Sequence, residues 1–152
     1  MLDKIDKSIL KLLQNNAKFT IKEIGQRLNL SATPIFERIK RLEKTNYIHS
    51  YRATINRKKI GLSLMVFCDI SLNQHEASYI SKFEEDIKQF TEVIECYHIG
   101  GNFDYLIKVV AKDMDDYQYF IANKLASLDN IRKVQSSFVM NEIKSTASLP
   151  IT

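Results

Sequence analysis

The sequence predicts an α+β protein in two parts, three short helices at the front and a back half ordered βαββαβ. Three observations predict it. Apolar residues recur at helical spacing three times before residue 45, whereas from residue 64 they first alternate at the period of a strand. A capping residue stands ahead of each early helix. Charge is also polarised: residues 1–60 hold 14 Lys/Arg against 5 Asp/Glu, and residues 61–152 hold 8 against 13. A basic front half joined to an acidic back half points to a polyanionic partner for one part only.

Asp3 is placed to cap a first helix with Ile5, Ile9, Leu12 and Leu13 on one side, and Asn15-Asn16 ends it. Thr20 followed by Glu23 makes a capping-box pattern for a second helix, with Ile21, Ile24 and Leu28 facing inward. Ser31 caps a third helix. Its Pro34 falls at the third helical position, where a missing N–H would have had no intrahelical partner. Asn29 and Asn46 stand where the chain must turn through the left-handed region, which Asn tolerates best after glycine. The run YIHSYRATIN that follows is rich in β-branched and aromatic residues and predicts a short strand, completing a winged helix-turn-helix.

The third helix carries the chemistry of this half. Ile35, Ile39 and Leu42 form its buried stripe, Thr33, Glu37, Lys40, Arg41 and Lys44 lie opposite, and Arg38 sits on the flank. A rigid helix exposing hydrogen-bonding and cationic side chains is what reading the major groove of double-stranded DNA requires. Ser31, Thr33, Pro34 and Glu37 are expected near base edges, with Glu37 suited to accept from a cytosine amino group. Arg38, Lys40 and Arg41 are expected close to the duplex, with Thr20 and Arg52 in reach of it as well. The competing interpretation is a solvated amphipathic helix that docks another protein. That role calls for exposed apolar anchors, and Phe36 alone answers to it.

In the back half, Leu64, Val66, Cys68, Ile70 and Leu72 alternate with Met65, Phe67, Asp69 and Ser71. Ile80, Phe83, Ile87 and Phe90 mark a helix. Strands over 93–99 and 104–111 are joined by the turn Gly100-Gly101-Asn102-Phe103. The acidic cluster Asp113, Asp115 and Asp116 opens a second helix with Tyr117, Phe120, Ile121, Leu125 and Leu128, and a last strand runs over 134–143. This is the split-βαβ, ferredoxin-like order, with both helices on one face of an antiparallel sheet. The other face, expected to be rich in Val, Ile, Phe and Tyr, then calls for a partner, most simply a second copy of the chain. Domain boundaries follow at 1–50, a hinge strand and linker over 51–62, and 63–152.

Catalysis is not expected. His49, His75 and His98 match no metal spacing, and no nucleophile elbow, phosphate loop or dinucleotide fingerprint is present. No cofactor or metal is implied. Cys68 and Cys96 lie in strand-like runs and are expected in the core. With no basic-then-apolar leader and no long apolar span, the chain is expected in the cytoplasm and off the membrane.

The segments LDKIDKSILKLLQNNAKFT, SATPIFERIKRLEKTNYI and GNFDYLIKV resemble the Lrp/AsnC (leucine-responsive, or feast/famine) family of transcription regulators, in the family's order and across nearly the whole chain. The third-helix segment and ECYHIGGNFDYLIK are most similar to its leucine-responsive branch. Asn29 and Asn46 replace the family's usual glycines, and Gly100 adds a second glycine ahead of the turn. The resemblance implies an N-terminal DNA-binding domain, a C-terminal domain for amino-acid sensing and self-assembly, and four dimers in a ring. It also implies an effector pocket around Gly100, Gly101, Asn102, Asp104 and Tyr105, between neighbouring dimers. Glycines there let backbone amides approach an anionic carboxylate, Asp104 is placed to accept from an amine, and Tyr105 or Ser137 supplies a hydroxyl. Leucine, methionine or another apolar amino acid is the expected effector. The reading from a different class is a ferredoxin-like sensor or enzyme whose basic front half docks a protein.

Overall fold

The structure is a computed structural model and describes residues 1–146 and 148–152. It forms two compact units, Met1–Thr54 with Lys144–Thr152, and Ile55–Ile143. The 51–62 linker expected from the sequence is thus divided between them. The last residues of the expected 63–152 domain lie with the helices.

The first unit contains α1 (Lys4–Asn15), α2 (Ile21–Leu28) and α3 (Ala32–Lys44). Two of the three starts are closed by reciprocal caps: Asp3 with Asp6, and Thr20 with Glu23. Each pair satisfies two backbone N–H groups that the first turn of a helix leaves unpaired. Ser31 is the N-cap of α3, yet its side chain makes no cap hydrogen bond. Pro34 explains part of this. It occupies the third helical position, where a capping hydroxyl often finds its N–H donor, and proline has none. Asn29 and Asn46 adopt φ of 54° and 59°, the left-handed turns expected of them.

Ile9, Ile24, Ile35 and Leu42 are the buried centre of this unit, one or two from each helix. The turn between α2 and α3 lies directly on α2. A Cβ added at Gly25 would sit 2.6 Å from the Leu30 carbonyl oxygen, so a side chain there would collide with backbone. The C-terminal segment joins the unit at α1. Gln14 accepts from the Leu149 N–H at 2.6 Å and donates to the Leu149 carbonyl at 3.3 Å. The strand expected over 47–56 is not formed. A strand needs a ladder partner, and β1–β4 of the second unit pair only with one another.

The second unit begins with a 3₁₀ turn (Arg57–Ile60), then β1 (Leu64–Leu72), α4 (Ala77–Ile87), β2 (Val93–His98), β3 (Tyr105–Ala111), α5 (Met114–Tyr119) and β4 (Ile131–Phe138). The strands are ordered β2-β3-β1-β4 and every neighbouring pair is antiparallel. This is the expected βαββαβ arrangement. One sheet face presents Val66, Cys68, Ile70, Leu72, Tyr105, Ile107, Val109 and Ala111 to Phe83 and Ile87 of α4, and to Tyr117, Phe120 and Leu125 beyond.

Three expectations are corrected here. The second helix is not uniform: α5 passes into a π-turn over Phe120–Lys124 and a 3₁₀ turn over Leu125–Ser127. The wider π pitch brings Phe120 and Leu125, five residues apart, into the same core. The last strand spans Ile131–Phe138 rather than 134–143, because Val66 pairs with Phe138 and β1 begins only two residues earlier. Cys96 is exposed on edge strand β2, while Cys68 is buried, and both are free thiols.

The outer sheet face also differs from expectation. Register places Phe67 opposite Lys108 and Ser137, and Asp69 opposite Leu106 and Gln135. Tyr97 and Glu95 continue this face on β2, opposite Leu106 and Lys108. Most Val and Ile side chains have gone to the helix face, which leaves a mixed surface of Met65, Phe67, Leu106 and Tyr97 among charged groups.

Candidate DNA-binding and effector sites

Ion pairing divides the cations of α3 into two classes. Asp6, only 1% exposed, accepts from Arg38 Nη1 at 2.7 Å through one oxygen and from Arg41 Nη2 at 2.6 Å through the other. Arg38 also donates to Asp3 at 2.6 Å. The N-terminal cap of α1 is therefore the clamp that holds α3. Burial opposes charge on Asp6, but the Asp3 N–H and the two guanidiniums outweigh it and hold its carboxyl below the ordinary range. The clamp was missed in the sequence because Asp3 and Asp6 lie 32 or more residues from the arginines they bind.

Arg38 and Arg41, expected beside the duplex, are thus engaged within the unit, Arg38 being 26% exposed and Arg41 53%. Lys40 is exposed, lies over the Phe36 ring and reaches Glu43 at 3.3 Å. Ser31, Thr33 and Glu37 are exposed, and Pro34 is half-buried. Thr20 is tied to Glu23 through both its hydroxyl and its backbone. Arg52 is exposed in the segment that lacks a strand. Tyr51, outside the predicted set, donates to Glu43 at 3.0 Å; burial and that carboxylate push its phenol up to about 12. The polar side chains that α3 and its cap expose form a stripe of Ser31, Thr33, Glu37, Lys40, Arg41 and Lys44, and Phe36 is exposed as well.

The residues expected around an effector lie in different surroundings. Asp104 accepts from the Leu72 N–H at 2.7 Å through one oxygen and faces His75 Nε2 at 2.9 Å through the other. Burial opposes its charge, while these two partners and the nearby His98 lower its pKa overall. Both oxygens are occupied, so Asp104 fastens the turn to the end of β1. Tyr105 is buried, stacks on His98 with centroids 4.7 Å apart, and donates to Glu84 at 2.8 Å. Ser137 pairs with Phe67 on the outer sheet face, whereas Tyr105 pairs with Ile70 on the core face. The two hydroxyls therefore point to opposite sides of the sheet. Gly100, Gly101 and Asn102 are exposed. Gly101 has φ of 143°, a conformation suited to glycine, and a Cβ there would meet open space.

Comparison with known proteins separates the same two parts. Residues 2–49 match the winged helix-turn-helix DNA-binding model, and residues 65–149 match the Lrp/AsnC ligand binding domain. The leucine-responsive regulatory protein of Escherichia coli K12 is 34% identical over 150 residues, covering 99% of this chain and 92% of that protein. The Bkd operon transcriptional regulator of Pseudomonas aeruginosa is 31% identical, covering 99% and 98%. Among solved structures, a Neisseria meningitidis transcriptional regulator in complex with L-Met superposes with a TM-score of 0.95 at 33% identity, covering 99% of this chain and 97% of that one. An AsnC family regulator of Agrobacterium tumefaciens gives 0.93 at 32%, covering 98% and 97%. Domain matches in the expected order and relatives aligned along nearly their full length leave one assignment: the chain belongs to the Lrp/AsnC family of transcriptional regulators.

Proposed function

We propose that the protein reads double-stranded DNA through α3 and that an apolar amino acid modulates its assembly or DNA affinity. The observation that carries the DNA part is the solvent stripe from Ser31 to Lys44 on a helix fixed by a buried core and the Asp3–Asp6 clamp. Base edges fall to Ser31, Thr33 and Glu37, and phosphates to Lys40, Lys44 and Arg52. A docking helix would expose several apolar anchors, and on α3 just one large apolar side chain, Phe36, is exposed. Titrating the protein against its own upstream region, with salt varied, tests this. Lys40→Ala should flatten the slope of log affinity against log salt by about one unit. Unchanged affinity in Lys40→Ala and Lys44→Ala together would remove this face from the DNA.

The effector site is proposed at Gly100–Asn102, with backbone N–H groups taking the carboxylate of methionine or leucine and Asp104 positioning the turn. The L-Met complex of the Neisseria relative supports this choice of ligand. Calorimetry with L-methionine and L-leucine decides it: Gly101→Val should abolish heat, and a variant that binds as well as wild type places the pocket elsewhere. Self-association is proposed through the outer sheet face around Phe67, Leu106 and Tyr97, giving dimers and, at higher order, four dimers. Two-fold pairing would place half-sites one helical turn apart or a multiple of it. A monomeric mass at micromolar concentration would sink the assembly reading.

A further inference from the structure

The clamp that engages Arg38 and Arg41 also isolates a carboxylate. Glu37 is exposed near the middle of α3 and has no hydrogen-bond or ion-pair partner among the described residues. On a helix, a glutamate is normally neutralised by cations three or four positions on. Here those positions are Lys40 and Arg41, and each turns to another acid, Lys40 to Glu43 and Arg41 to Asp6. The other acid of α3, Glu43, is engaged by Lys40 and by the Tyr51 hydroxyl. Glu37 alone on this helix is left uncompensated, one turn from Thr33, on the face assigned to the groove.

A free carboxylate facing DNA is repelled by every phosphate, so it weakens binding to all sequences unless it finds a donor. The major groove offers two kinds of donor, the exocyclic amino groups of adenine N6 and cytosine N4. Adenine sets its amino group beside the N7 acceptor, which would face the second carboxylate oxygen. Cytosine sets its amino group beside a C–H edge and imposes no such repulsion. Resting on the DNA-reading role of α3, we propose that Glu37 is the specificity-determining residue of the protein, selecting a cytosine in each half-site by accepting from its N4 amino group.

The roles on this helix then separate. Lysines supply attraction that is blind to sequence, and Glu37 penalises any duplex lacking a cytosine at its position. Selection from a randomised duplex pool, run on full-length wild type, Glu37→Gln and Glu37→Ala, tests the assignment. Wild type should enrich a C·G pair at one position of each half-site, with replacement by T·A weakening binding about ten-fold. Glu37→Gln should move the preference to adenine, whose N6 and N7 match a side-chain amide. Glu37→Ala should lose the preference and bind random duplex more tightly than wild type. Because the exposed side chain has no hydrogen-bond or ion-pair partner among the described residues, both variants should melt close to the wild-type temperature. Retained binding with the same base preference in all three proteins overturns the role of Glu37 and leaves the DNA-reading role intact. Absence of any duplex binding by wild type overturns both.

Discussion

The two units are held together by different means. The helical unit buries four apolar side chains fully and fastens its helices with charge, Asp3 and Asp6 of α1 against Arg38 and Arg41 of α3. The sheet unit buries a cluster of thirteen residues and places hydrogen-bonded groups inside it, as where Tyr117 links Cys68 to Ser136 at 3.1 and 2.6 Å. A small core yields little hydrophobic stabilisation, so precise polar links decide whether the helices stay aligned. A larger core tolerates the loss of one polar link. Perturbations of backbone fit and charge should therefore act on the first unit more than on the second.

The largest effect is expected from Gly25→Ala. The new methyl meets the Leu30 backbone at 2.6 Å, and the turn into α3 has to shift. A loss of about 2–3 kcal/mol is expected, in the upper range for overpacking, with DNA binding lost in parallel. Urea unfolding followed by separate probes in each unit checks it; an unaltered helical transition would show that the turn yields freely.

Asp6→Asn comes next. It removes the charge that two guanidiniums share and should destabilise the helical unit by about 2 kcal/mol, the scale of hydrogen bonds to charged groups. It also loosens Arg41, whose acid is Asp6, while Arg38 keeps Asp3, so affinity for random duplex should rise and its salt slope should steepen. A destabilised variant with an unchanged slope would mean that Arg41 does not reach phosphate even when loosened.

Acid should expose the same contrast. Asp3, Asp6 and Glu23 are all lowered from their ordinary values, Asp3 chiefly by the Asp6 N–H and Glu23 by the Thr20 N–H. A carboxyl whose folded pKa lies below its unfolded value stabilises the fold at higher pH, and that contribution disappears as pH falls through the folded value. The helical unit should therefore loosen below the ordinary aspartate value of 3.8, where protonation also leaves its cations unopposed. Asp104 and Glu92 are lowered in the sheet unit as well, but against its larger core. Amide exchange measured across an acid titration should show α1–α3 opening before β1 and β3, and the reverse order would contradict the comparison.

The smallest effect separates two residues that look alike in the sequence. Thr20→Ala removes a formed cap and should destabilise by about 1 kcal/mol. Ser31→Ala removes a hydroxyl that caps nothing and should change stability by less than about 0.5 kcal/mol. Thermal melts of the pair decide this. An equal loss would show that Ser31 caps α3 in solution.

Local patterns carried most of the fold. Period-two alternation located β1, the caps located the helix starts, and the two asparagines marked the left-handed turns, because each depends on residues a few positions apart. What stayed hidden was non-local. The ion pairs of Arg38 and Arg41 could not be read because nothing near them in sequence binds them. The partners of Asp104 and Tyr105 could not be read because Leu72, His75 and Glu84 lie on other elements. The strand after Asn46 was read from composition alone, and composition cannot supply a ladder partner.

The contact between Gln14 and Leu149 changes what a domain boundary means in this chain. Because Lys144–Thr152 belongs to the helical unit, the polypeptide passes between the units twice, near Thr54 and again near Ile143. A fragment ending at the first crossing would keep all three helices but leave Gln14 without its partner. A purification tag added after Thr152 would hang from the DNA-reading unit, not from the sheet. Excised domains and tagged proteins would then report on different molecules, and binding measured on one does not transfer to the other without a check at Gln14.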